Sequence, residues 1–295
     1  MNTTQPPCSP GQIRLIANAM RHDVITELEA SKSGHPGGSL SAADIVATLF
    51  FSGLMKYDPK QPDDHSQDHF ILSKGHAAPV LYAAFHQLGW LTDADMLTLR
   101  QLGSKLQGHP DAHACPGVEV CSGSLGQGLS VSTGIALGLK MDAKRDGGDP
   151  HHVFCVLGDG EMQEGSNWEA LMFAASRGLD NIVAFLDLNN LQIDGHVTDV
   201  CTLGDVDAKL AAFGWSVQHI DGHDVDAIEA ATSAALAHTG SPSIVVCDTV
   251  KGKGVSFMED QQGWHGVAPD HDQAAAAIAE LDAQLEELEK EVDNG

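Results

Sequence analysis

Apolar positions along the chain recur with two periods. Ile13, Ile16, Ala17, Met20, Val24 and Leu28 follow helical spacing behind Ser9-Pro10, which reads as an N-cap with proline in the first turn. That pattern stops at Ser33-Gly34-His35-Pro36-Gly37-Gly38. Ser41 with Asp44 three residues on reads as a capping box with an acid in place of Glu, opening an apolar helix to about Met55. A short strand at 70–72 runs into Ser73-Lys74-Gly75-His76, and helical spacing returns at 80–88. Gly123-Ser124-Leu125-Gly126-Gln127-Gly128 precedes a helix carrying Gly134 and Gly138, whose missing side chains permit close approach of a second helix, in the core or from another subunit.

The middle of the chain changes period. Residues 153–157 read as a buried strand, 161–177 as a helix and 182–188 as a second buried strand, a βαβ unit with parallel strands and a right-handed crossover. Strands at 215–220 and 243–248 flank a helix at 225–238. The expected fold class is therefore α/β, a doubly wound, mainly parallel sheet with helices on both faces, and ligands are expected outside the carboxyl ends of its strands. From Asp270 the sequence turns acidic, with Ile278, Leu281, Leu285, Leu288 and Val292 at helical spacing. The expected organisation is a main domain at 1–269 and an acidic helical tail, docked or frayed, at 270–295.

Composition narrows the partners. With 42% hydrophobic and 19% charged residues the chain is not of the disordered class. Lys+Arg at 16 against Asp+Glu at 41 gives a formal charge of -25, so long-range repulsion disfavours nucleic acid and anionic membranes. An anionic small substrate would need local donors, and a salty habitat would equally suit the acidic excess. No run approaches the ~18 apolar residues of a membrane span, and no basic segment precedes an apolar one at the N-terminus. The six cysteines form no CxxC pair, and Cys155 and Cys247 sit in apolar runs. A reduced, cytoplasmic setting is the expectation.

Candidate chemistry lies at the strand ends. Gly158-Asp159-Gly160 ends the first strand of the βαβ unit, where a carboxylate projects at the ligand-binding edge and glycines let the backbone approach a ligand. The second strand ends in Asn189-Asn190-Leu191, so the Asn189 amide and the Leu191 carbonyl are expected beside Asp159. All three are hard oxygen donors, and Mg2+ favours few protein oxygens completed by phosphate and water. Taken alone, the GDG tripeptide reads more readily as a turn with a capping Asp, and it is the pairing with Asn189 at the next strand end that reverses this.

The segment 158–170, GDGEMQEGSNWEA, resembles the transketolases, a family of thiamine diphosphate enzymes. Further matches follow in the family's order: Ser33 to Gly37, Ser73 to His76, Gly108-His109-Pro110, Gly123 to Gly128, Ile193-Asp194-Gly195-His196, Asp221-Gly222-His223-Asp224, Lys251-Gly252-Lys253-Gly254 and Trp264-His265-Gly266. The resemblance covers roughly residues 10–270. It implies Asp159, Asn189 and the Leu191 carbonyl as ligands of Mg2+, with Ca2+ or Mn2+ as substitutes. It implies contacts to thiamine diphosphate from His76, Gly123, Leu125, Gly158, Gly160, Asn189, Lys251 and His265. Lys251, in a glycine-flanked loop after a strand, suits a phosphate as a point charge. His35, His109 and His265 match histidines of the substrate channel, where imidazole can donate to an alkoxide or relay protons. Glu164 and Glu169 match acids between the two active centres of a dimer. Asn190 and Gly38 depart from common family residues and receive no role.

A complete transketolase is roughly twice as long, and the pyrimidine-binding domain is absent from this sequence. The resemblance therefore implies the N-terminal, diphosphate-binding subunit of a split transketolase, serving sugar phosphate exchange of the pentose phosphate type. Its partners would be a C-terminal transketolase subunit and a second copy of itself in an α2β2 heterotetramer. Rival readings are another thiamine diphosphate enzyme, such as a deoxyxylulose phosphate synthase-like chain, a dehydrogenase alpha subunit, or a transketolase for a branched or sulfonated sugar. A non-catalytic cofactor-binding homologue is expected to lack Asp159, Asn189 or His76, and all three are present.

Overall fold

The computed structural model describes residues 7–294. Five parallel strands form its centre: β1 (His69–Leu72), β2 (Val153–Gly158), β3 (Ile182–Leu188), β6 (Ser216–Asp221) and β7 (Ser243–Asp248), in the spatial order β1-β2-β3-β7-β6. A two-stranded ribbon, β4 (Leu191–Gln192) with β5 (Gly195–His196), follows β3. The register places Val153 beside Ile182 and Gly158 beside Asp187, so β2 and β3 end together.

Each inner strand is apolar on both faces because each face is covered. Phe154, Val156, Val183, Phe185, Val245 and Cys247 face one core cluster, with the helices Pro10–Ser31, Ala43–Phe51, Ala78–Gln87 and Val225–Ala237. Val153, Cys155, Leu157, Ile182, Ala184, Leu186, Ile244 and Val246 alternate with them into the other cluster, under the helices Gln127–Asp146 and Gly165–Ser176. Period-2 geometry with both faces buried produces the continuous apolar runs seen in the sequence. The doubly wound α/β expectation is borne out.

Local boundaries differ in instructive places. The first helix ends at Ser31, where Lys32 takes a left-handed conformation (φ 55°). Ser41 caps nothing: the chain forms two helices, Pro36–Ser41 and Ala43–Phe51, and the Ser41 hydroxyl donates to Asp187 at 2.6 Å. Asp44 instead pairs with Arg21 and His223. The helix expected at 161–177 is broken, because Glu164 adopts an extended conformation between a 3-10 turn (Gly160–Gln163) and the helix Gly165–Ser176. A side chain added at Gly134 or Gly138 would meet nothing within 4 Å, which removes the core alternative for those glycines. The acidic tail is the helix His271–Asn294, docked on the first helix through Ala274, Ala277 and Leu281. All six cysteines are free, and no described helix is long and apolar enough to cross a membrane.

Candidate active site

Four neighbouring strands of the sheet, β1, β2, β3 and β7, end on one cavity of about 390 Å³. Lys74 and His76 follow β1, Asp159 follows β2, Asn189 and Leu191 follow β3, and Lys251 follows β7. The loop residues His35, Gly123, Leu125, Glu164 and His265 complete the wall, with Gly158 and Gly160 beside Asp159. Two expected site residues are not in that wall. Glu169 is exposed on the helix Gly165–Ser176, and His109 stands at the mouth, its ring 6.4 Å from that of His35.

The floor is a buried ionic knot. Asp187, fully buried in β3, accepts from the Lys74 ammonium, the hydroxyls of Ser41 and Thr249, and the Asn189 amide. Burial alone would raise its carboxyl, but the Lys74 charge and these donors outweigh that and hold it below the ordinary range. Lys74 also donates to the Gly38 carbonyl at 2.7 Å, while a side chain at Gly38 would reach His76 Nε2 at 3.2 Å. Both residues belong to the site. A charge inside the apolar run of β3 was the available signal for Asp187, because a buried acid has to be paired.

Asp159 is 3% exposed, and its carboxylate accepts the backbone N–H groups of Gly160 and Asn190. Burial and the nearby Asp187 charge push it up to about 6 despite those bonds. Asn190 takes the left-handed conformation (φ 57°), which turns the chain so that residues 189–191 face Asp159. Its side chain accepts from Thr198 N at 3.1 Å. Asn190 thus has the positioning role that sequence reasoning withheld. Opposite, Lys251 Nζ donates to the Leu191 carbonyl at 2.6 Å and to His265 Nδ1 at 2.7 Å. Burial and Lys74 lower its ammonium to about 8.

Four imidazoles gather over this floor. The His35 ring lies 5.4 Å from His76 and 5.5 Å from His265, which itself stacks on His76 at 5.4 Å. Burial, followed by Arg100 and neighbouring charges, lowers His35 to about 4, and burial with Lys251 lowers His265 to about 3. Burial lowers His76 and His109 as well. At neutral pH these rings are uncharged and can each donate and accept one hydrogen bond. Gly123 is held at φ 135° directly under His109, and a methyl group there would meet the ring at 2.7 Å.

Two supporting residues also escaped sequence reasoning. Glu161 is buried, with Oε1 accepting from Ser73 Oγ (2.5 Å) and Gly126 N (2.9 Å) and Oε2 from Gly158 N (3.1 Å). Arg100 ties the His35 loop to the His109 loop, reaching Ser33 Oγ, His35 Nδ1 and the Gly108 carbonyl. His223 of the Asp221-Gly222-His223-Asp224 match serves support: Nδ1 meets Asp44 at 2.7 Å and Nε2 accepts from Val250 N, next to Lys251.

This fold and site define a thiamine diphosphate-binding domain of the α/β class. The chain belongs to the transketolase family, since residues 13–287 match the model described as "Transketolase, thiamine diphosphate binding domain". It is 40% identical over 268 residues to the 6-deoxy-6-sulfo-D-fructose transketolase subunit SqwG of Clostridium sp. strain MSTE9, covering 91% of this chain and 95% of that protein. It is 41% identical over 275 residues to transketolase-like protein 2 of Bos taurus, covering 92% of this chain but 42% of that protein. Among solved structures, transketolase from Leishmania mexicana superposes with a TM-score of 0.82 at 29% identity, over 96% of this chain and 46% of that one. A Pichia stipitis transketolase complex with sedoheptulose-7-phosphate gives 0.82 at 32% identity, over 96% and 45%.

Proposed function

We propose that this chain is the diphosphate-binding subunit of a two-chain transketolase, acting in the cytoplasm on sugar phosphates. The observation that carries the reading is the convergence of Asp159, Asn189 and the Leu191 carbonyl with Lys251 and uncharged histidines at the strand ends. The donors fit a magnesium-bridged diphosphate. Asp159 is a desolvated carboxylate beside a neutral amide and a carbonyl, a hard oxygen set suited to Mg2+, and the Leu191 carbonyl already attracts a cation, Lys251. Gly158, Gly160 and Gly123 leave room for a ligand against backbone. Thiamine diphosphate, when bound, supplies the electron sink for a two-carbon unit in transit from a ketose to an aldose.

The residues of this chain bind, orient and move protons. Lys251 and His76 hold the diphosphate, and Asp187 with Lys74 keeps the floor rigid beneath it. His35, His109 and His265, uncharged near neutrality, donate to substrate oxygens and exchange protons with them. Glu164 and Glu169 are assigned to the contact with a second copy of the chain, within an α2β2 assembly completed by a pyrimidine-binding transketolase subunit. The match over 95% of SqwG, a protein described as a subunit, supports the two-chain reading.

The same relative favours a second reading of the donor, a 6-deoxy-6-sulfo-ketose in place of a ketose phosphate. One experiment addresses both. The purified chain is assayed alone and with a co-expressed pyrimidine-binding subunit, using fructose 6-phosphate or 6-deoxy-6-sulfo-D-fructose as donor and an aldose phosphate as acceptor. Transfer is expected only from the pair, and the preferred donor selects the reading. Full activity from the chain alone would refute the split assembly.

A further inference from the structure

Beyond the cavity, the two backbone segments that carry His109 and Gly123 are joined by a second group of metal-type donors. Asp111, two residues past His109, and Cys121, two before Gly123, meet with His113 so that their ligand atoms all lie within 4.8 Å of one another. The three edges of that triangle are 3.2 Å (His113 Nδ1 to Asp111 Oδ1), 3.4 Å (Cys121 Sγ to Asp111 Oδ1) and 3.7 Å (Cys121 Sγ to His113 Nδ1). A tetrahedral zinc ion with ordinary Zn–S, Zn–N and Zn–O bond lengths needs donor separations of roughly 3.3–3.6 Å. The three separations therefore lie within about 0.1 Å of those on the face of such a tetrahedron.

Backbone amides already meet two of the three donor atoms. Ala112 N donates to Cys121 Sγ at 3.3 Å and His113 N to Asp111 Oδ1 at 2.9 Å, as backbone amides do around metal-bound thiolate and carboxylate. His113 and Cys121 are exposed, so a cation and its water have free access. A mixed S, N, O set excludes Mg2+ and Ca2+ and selects the borderline late first-row cations, Zn2+ foremost. A second histidine group, His65, His69 and Glu119, has no sulfur donor and lies at the amino end of β1, away from the cavity.

We propose that Asp111, His113 and Cys121 bind one Zn2+, with water in the fourth position, and that the ion clasps the His109 segment to the Gly123 segment. The backbone already bonds across this gap, Ser122 N to the Pro110 carbonyl at 3.2 Å, so the ion closes a loop whose two ends reach the mouth and wall of the cavity.

The purified, reduced chain is titrated with Co2+ as a spectroscopic probe and then with Zn2+ in competition. One equivalent of Co2+ should give a thiolate-to-cobalt charge-transfer band that Zn2+ displaces, and Zn2+ should protect Cys121 from alkylation. Cys121→Ser should abolish the band, and His113→Ala should weaken binding by at least roughly 10- to 100-fold. His65→Ala and Asp159→Ala should leave it unchanged. All of these variants change exposed or site residues, and unfolding temperatures measured without metal verify that each is folded. Absence of the band at one equivalent, or its persistence in Cys121→Ser, would overturn the proposal.

Discussion

Replacing Glu161 by Gln changes one atom of a carboxylate that makes no contact with the outside. Glu161 is 2% exposed, and three donors, Ser73 Oγ, Gly126 N and Gly158 N, converge on its two oxygens. Gln keeps one oxygen for Ser73 and Gly126 but turns an amide N–H2 toward Gly158 N. One charge-assisted bond is lost, worth about 1.5–3 kcal/mol, and two buried donors are left facing each other. A loss of about 2–4 kcal/mol follows, which lowers the unfolding temperature by on the order of 3–6 °C for a chain of this size. Gly126 and Gly158 belong to the segments bearing Leu125 and Asp159, so affinity for thiamine diphosphate with Mg2+ should fall together with stability. Differential scanning calorimetry measures the first effect and isothermal titration the second. If Glu161→Gln melts within a degree of wild type and binds the cofactor equally well, the bracket role assigned to this carboxylate is wrong.

Asp159→Ala should abolish Mg2+-dependent binding of thiamine diphosphate while keeping the fold, and undiminished affinity by calorimetric titration would sink the ligand assignment. In the assembled enzyme, His109→Ala should lower turnover by roughly 10²- to 10⁴-fold with cofactor affinity kept, and a wild-type rate would reduce His109 to packing against Gly123. Glu27 is fully buried in the first helix, neither carboxyl oxygen has a hydrogen-bond partner, and burial with the Asp23 charge raises it well above 4.5. The folded state keeps a proton that the unfolded chain releases, so the stability contributed by this group is fully present below about pH 4.5 and is lost as pH rises toward the folded value, by up to ~1.4 kcal/mol per unit. Glu27→Gln should flatten that slope in denaturant titrations at a series of pH values, and identical slopes would show that Glu27 is ionised when folded.

The sequence made the inner strands legible because burial on both faces leaves an uninterrupted apolar run, and β2, β3 and β7 needed no other signal. It also placed Asp159, Asn189 and Lys251 at strand ends, where topology brings them together. What escaped it depends on contacts far apart in the chain. Ser41 and Asp44 have the spacing of a capping box, but each finds a stronger partner elsewhere, Asp187 and Arg21 respectively. Glu161 looked like a first-turn helix acid, since nothing local announces that Ser73 and Gly126 will point at it. Asn190 looked neutral because handedness is a property of the backbone. Only its neighbours' need to converge on Asp159 makes a positive φ useful there.

The knot at Asp187 bears on how this molecule opens. Its carboxylate ties its own stretch at 187–189 to three others, at positions 41, 74 and 249, so the departure of Lys74 would strand a charge in the interior and that of Ser41 or Thr249 would leave a buried carboxylate short of a donor. Opening the floor therefore costs nearly as much as unfolding the sheet. The mouth has no buried ion pair, only the exposed Arg100 hydrogen bonds of 3.3–3.5 Å, with His109 exposed and Glu164 at a break between two helical segments. In amide hydrogen exchange on the metal-free chain, the amides of 187–189 should exchange only through global unfolding, while those around 109–113 and 163–165 exchange through small local fluctuations. The pocket is a rigid seat under a yielding rim, so local motion of the rim admits an occupant without unfolding of the sheet.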